Sequence, residues 1–91
     1  MATSIKNGEL VTAGSTNDTE VQIVSSLSFI GPVITAFIEV VSGTVQFSSG
    51  EAITPQHRAW ATGSKFPMSF ENGENLHFKA ASANDTFVIT I

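Results

Sequence analysis

Apolar and polar residues alternate in short runs along most of this chain. Val21 and Ile23 share one side of an extended backbone, with Glu20 and Gln22 opposite. Val45 and Phe47 alternate with Thr44 and Gln46, and Phe66, Met68 and Phe70 form a third set. Leu76, Phe78 and Ala80 alternate with Asn75, His77 and Lys79, and Phe87, Ile89 and Ile91 with Thr86, Val88 and Thr90. A period of two sends successive side chains to opposite faces, so each run predicts a strand with one buried face. Turn formers separate the runs: Asn7-Gly8, residues 14–18, Gly31-Pro32, Ser42-Gly43, residues 48–50, Gly63-Ser64, Asn72-Gly73 and residues 82–85. No helical stripe interrupts them. Short strands at a spacing of about 8–12 residues predict an all-β fold, an antiparallel β-sandwich of about eight strands. Alternation does not encode strand pairing, so it leaves a jelly roll and an immunoglobulin-like topology equally open.

Residues 32–41 depart from the one-sided pattern. Ile34, Ala36, Ile38 and Val40 fall on one face; Val33, Phe37 and Val41 fall on the other, among Thr35 and Glu39. A strand that is apolar on both faces needs cover on both. A sandwich this small has one interior, so Ile34, Ile38 and Val40 are expected in the core. Val33, Phe37 and Val41 are expected at a contact with another subunit.

With 91 residues, of which 42% are hydrophobic, the chain is long enough for one domain with a small core. We place that domain at residues 9–91, behind a short polar arm at residues 1–8. Eight acidic and four basic residues leave a net charge of −4, which argues against binding a nucleic-acid backbone or an anionic membrane. The start of the chain has no apolar run behind its positive charge, so no secretory signal is expected. The apolar stretch at residues 29–41 contains Pro32 and Glu39 and is too short to span a bilayer. With no cysteine, a disulfide framework and thiolate chemistry are excluded.

Candidate chemistry is sparse. His57 and His77 stand twenty residues apart, without the tight spacing of a ligand pair, and His77 alternates with core positions, so no metal or other cofactor is expected. Glu51, Glu71, Glu74 and Asp85 lie in or beside turns, where carboxylates are usually solvated, and no serine stands in a nucleophile motif. The chain is therefore read as a non-enzyme. Asn17-Asp18-Thr19 and Asn84-Asp85-Thr86 match a glycosylation acceptor, but read better as turns feeding strands. The remaining candidate is His57, Arg58 and Trp60, around the only tryptophan. Arg58 and Trp60 share strand parity. Together they suit either a partner or ligand contact, or a core tryptophan with an arginine at the strand's edge.

The phrases Ser42-Gly43-Thr44-Val45-Gln46-Phe47, His57-Arg58-Ala59-Trp60, Gly63-Ser64-Lys65-Phe66-Pro67, Leu76-His77-Phe78-Lys79-Ala80 and residues 85–91 resemble small β-sandwich virion proteins of tailed bacteriophages, of the capsid decoration (auxiliary or cement) type. The resemblance covers residues 42–91 in texture. It implies a trimer or other homo-oligomer in the virion, assembled in the host cytoplasm, that binds the major capsid protein or another virion protein and stabilises the lattice. The rival reading is a carbohydrate- or receptor-binding module of a phage tail or fibre, with Trp60 as a stacking platform beside Arg58 and His57.

Overall fold

The computed structural model describes residues 3–4, 7–22, 33–71 and 74–90. The expected turns at Gly31-Pro32 and Asn72-Gly73, and Ile23 and Ile91 of the alternating sets, lie outside the described residues, as do the side chains of Val33 and Ile34. Among the described residues the chain is all-β. It contains β1 (Thr3–Ser4), β2 (Leu10–Thr12), β3 (Thr19–Gln22), β4 (Val33–Ser42), β5 (Thr44–Ser49), β6 (Ala59–Ala61), β7 (Lys65–Glu71), β8 (Asn75–Ala80) and β9 (Thr86–Thr90).

The strands form two sheets, β1-β3-β8-β5-β6 and β2-β9-β4-β7. Their antiparallel pairing is nested: β2 with β9, β3 with β8, β4 with β7, and β5 with β6. Four nested pairs are one long hairpin. Rolling it up adds the pairs β4 with β9 and β5 with β8, which divide it into two facing sheets. This is the jelly roll, and it settles the choice of topology that periodicity left open. β1 is an addition to it: within the segment expected to be an arm, Thr3 and Ser4 run parallel to Val21 and Gln22 at the edge of the first sheet.

The alternating sets fill the space between the sheets. Val21, Val45, Leu76 and Phe78 face inward from one sheet, and Ala36, Ile38, Val40, Phe70, Phe87 and Ile89 from the other. Each fully buried side chain of this size contributes about 1.5–3 kcal/mol over an exposed one. Phe87 sets the register of the two layers. Its ring meets Phe47 at 5.0 Å and Phe78 at 4.9 Å, edge to face. Phe47 and Phe78 are themselves cross-strand partners on β5 and β8.

β4 is two-sided, as its sequence predicts. Ala36, Ile38 and Val40 are fully buried, while Phe37 is 48% and Val41 43% exposed on the other face. The pairing of β4 with β9 slips at Val41, between Val40 and Ser42. The bulge leaves both Val41 and Ser42 exposed, and Ser42 Oγ meets Thr86 Oγ1 at 2.7 Å. Gly43 then turns the chain into β5 with φ of +88°.

Candidate interaction surfaces

Three clusters outside the core could carry a function. The first is the outer face of the β2-β9-β4-β7 sheet. Glu39 stands near its centre, with Phe37 and Val41 two residues away on β4, Val88 across the strand pair on one side and Lys65 on the other. Leu10, 56% exposed, lies beyond Val88 on β2. Phe37, Val41 and Leu10 are the large exposed hydrophobics among the described residues. Two of the three positions expected at a subunit contact, Phe37 and Val41, are thus brought to one exposed face, on either side of Glu39. The third, Val33, shares their strand, but its side chain lies outside the described part.

The second cluster contains the tryptophan. Trp60 on the edge strand β6 is partly buried and points between the sheets, against Phe66 on β7. The two rings stack at 3.8 Å with 12° between their planes. Arg58 places its guanidinium carbon 4.1 Å from the centre of the tryptophan ring. Two groups this close to one ring must occupy opposite faces, so Arg58, Trp60 and Phe66 form three layers. Phe66 also touches Phe47 at 5.7 Å, which joins the stack to the buried Phe47–Phe87–Phe78 line. A sugar ring would have to displace Arg58 to reach the indole. Phe66 was legible only as a core-facing position of β7; its pairing with Trp60 depends on how the two sheets meet.

His57 takes no part in the stack. Its Nδ1 accepts the Thr54 N–H at 2.9 Å and its Nε2 lies 3.3 Å from Glu51. Its backbone carbonyl accepts from Gln46 Nε2 at 2.8 Å. Of the three residues expected at one contact, Arg58 and Trp60 are together and His57 organises the loop before them.

The third cluster surrounds His77 on the outer face of β8. Asp18 Oδ2 lies 3.1 Å from its Nδ1, and Glu20 Oε2 lies 3.2 Å from its Nε2. The other oxygen of Asp18 accepts the Ile53 N–H at 3.1 Å, which ties the β5–β6 loop to the same histidine. The carboxylates sit on opposite sides of the ring and do not converge. Among the described residues no group of three or more His, Asp or Glu is placed to hold a metal ion.

The carboxylates considered as catalytic candidates are engaged elsewhere. Glu74 accepts from Ser49 Oγ at 3.0 Å and from the Glu71 N–H at 2.6 Å. Asp85 is buried rather than solvated, and accepts the N–H of Ser82 at 3.0 Å and of Thr44 at 3.3 Å. Glu74 and Asp85 flank opposite ends of β8, a strand of a length that spans about 17–20 Å. Paired catalytic carboxylates stand about 5–9.5 Å apart, so these two do not form such a pair.

The open edges of the sheets differ. The Glu71 N–H at the edge of β7 is occupied by Glu74, and Pro67, of the same parity, offers no donor there. β7 is therefore poorly suited to accept an added strand. β6 carries only the small, exposed Ala59 and Ala61 on either side of Trp60.

No family model, curated protein or solved structure matches this chain.

Proposed function

We propose that this jelly-roll domain is a non-enzymatic structural protein of a virion: an oligomer, with a trimer favoured, that decorates the capsid of a tailed bacteriophage and stabilises its lattice. The observation that carries the reading is the apolar outer face of the four-stranded sheet, where Phe37, Val41 and Leu10 stand 43–56% exposed on a single protomer. An exposed apolar patch on a sheet face is the kind of surface that assembly covers.

The occupant proposed for this face is a second copy of the chain. The face carries opposite charges side by side, Glu39 and Lys65, at paired positions of β4 and β7. Copies that set Glu39 of one against Lys65 of the next satisfy both while covering Phe37 and Val41. The jelly roll is a topology used by viral capsid proteins, as well as by lectins and cupins, and the phrases in residues 42–91 resemble decoration proteins. An oligomer multiplies modest contacts with a repeating lattice through effective concentration.

Light scattering on the eluting protein tests the first half of this proposal. The expected mass is three times 9.6 kDa. A chain that stays monomeric at about 1 mM, the concentration that corresponds to roughly −4 kcal/mol of association, would overturn it. Cosedimentation with expanded capsid shells tests the second half, and an oligomer that leaves such shells unbound would sink the lattice role. The glycan-binding alternative receives no support from the position of Trp60, because both faces of its indole are covered.

A further inference from the structure

We propose that Arg58, held over the ring of Trp60, is the docking point for a single carboxylate on an extended segment of a partner protein, lying along the edge strand β6. The proposal is independent of the capsid reading. It concerns what the edge of the sandwich binds, whatever assembly the protein joins.

The first argument is that the donors of Arg58 are unspent. Among the described residues the guanidinium makes no ion pair and donates no hydrogen bond. The carboxylate nearest in sequence, Glu51, is engaged with His57. Among the described residues, the group rests on the tryptophan ring. The N–H groups of a guanidinium form a planar fork that matches the two oxygens of a carboxylate, and contact with an aromatic ring does not consume them.

The second argument is that the fork is already held in place. Trp60 is backed by Phe66 at 3.8 Å, and Phe66 by Phe47 of the core. An arginine on such a platform loses less freedom on binding than one projecting into water, which favours affinity. Arginine and tryptophan together are also the residue types that most often dominate an interface.

The third argument selects the ligand. A nucleic acid needs several cations to release its counterions, whereas this cluster supplies one, Arg58. A neutral sugar requires a bare indole face, and neither face is bare. A peptide has an available track. Among the described strands β6 ends its sheet and offers exposed alanines beside Trp60, with the Ala61 carbonyl taken by the Ser64 N–H and the backbone of Ala59 left for a partner, while β7 is closed by Pro67 and Glu74. An extended segment laid along β6 can place one carboxylate on Arg58.

The chain contains one tryptophan and one arginine, so its nuclear magnetic resonance spectrum has one indole N–H and one Arg Nε–H. The full-length, isotope-labelled protein would be titrated with a short extended peptide carrying alternating glutamates and with its all-glutamine counterpart. Both resonances should move and saturate with the glutamate peptide, and the glutamine peptide should bind at least about tenfold more weakly, the difference expected for a charge-assisted pair. Arg58→Gln should abolish the shift of the indole while leaving the other amides in place, and Arg58→Lys should retain only part of the binding because the fork is lost.

Three results would overturn the proposal. One is no movement of either resonance with glutamate peptide at about 10 mM, beyond the millimolar range of weak specific binding. Another is equal binding by Arg58→Gln. The third is a response to acetate or to an acidic monosaccharide as strong as that to the peptide, which would reduce the site to a small-anion contact.

Discussion

The carboxylate of Asp85 occupies the space that a β-carbon on Gly43 would need. It accepts the N–H of Thr44 and of Ser82, so one buried side chain ties the β4–β5 turn to the β8–β9 turn. Gly43 is thus required twice, for its φ of +88° and for the space above it. Gly63 has nearly the same φ, +89°, but nothing within 4 Å of its virtual β-carbon.

The two glycines make a matched comparison. Gly63→Ala should cost about 1–3 kcal/mol, from the left-handed conformation alone. Gly43→Ala should cost more, because it also displaces the buried Asp85 carboxylate and breaks its hydrogen bonds to the Thr44 and Ser82 N–H groups, at about 0.5–1.5 kcal/mol each. Urea unfolding of both variants measures the difference. Equal losses would show that the carboxylate moves aside freely.

The aromatic stack predicts an energetic coupling between β6 and β7. In a double-mutant cycle of Trp60→Leu and Phe66→Leu, the interaction term should be about 0.5–1.5 kcal/mol, that of a packed aromatic pair. Thermal unfolding followed by circular dichroism gives the four stabilities, since the cycle removes the only fluorescent indole. A term near zero would mean that the two rings act independently.

The outer face of β4 should matter to association and little to folding. Phe37→Thr and Val41→Thr remove half-exposed apolar groups, so each should change stability by no more than about 0.5 kcal/mol. The mass by light scattering should fall toward that of the protomer. A variant that keeps the parent mass would place the subunit contact elsewhere.

Removing His77 leaves Asp18 and Glu20 facing each other across an empty site. His77→Ala should lose about 1 kcal/mol, the net worth of a side-chain hydrogen bond. Hydrogen exchange at the Ile53 amide should accelerate, because Asp18 holds that N–H and His77 holds Asp18. An unchanged exchange rate would show that the loop is pinned by Gln46 and His57 alone.

The strands and their inward faces were legible because burial in a sandwich follows a period of two. Val45 and Phe47, Leu76 and Phe78, and Phe87 and Ile89 are buried where alternation puts them. The two faces of residues 36–41 were legible for the same reason. The role of Asp85 was not: an aspartate after Ser-Ala-Asn reads as a solvated turn residue, and only the approach of Gly43 encloses it. Residues 15–21 and 82–88 share a turn-then-strand pattern around Asn-Asp-Thr, and the likeness extends to hydrogen bonding. Ser15 Oγ accepts the Asn17 N–H at 3.2 Å and Ser82 Oγ accepts the Asn84 N–H at 3.3 Å, the same side-chain contact in both places. The aspartates that follow then diverge, Asp18 reaching Ile53 and His77 and Asp85 reaching Thr44 and Ser82.

By itself the sequence determined the class of the fold, the faces of its strands, the acidic, cysteine-free character of the chain and the two-sidedness of β4. All of these are local: they depend on residues within a few positions of one another. The tertiary structure decided the nested pairing that makes a jelly roll, the stacking of Arg58, Trp60 and Phe66, and the bracketing of His77 by Asp18 and Glu20. Those depend on which strands meet after the long hairpin rolls up. Alternation carries no record of that, because every strand with one apolar face presents the same pattern to any partner.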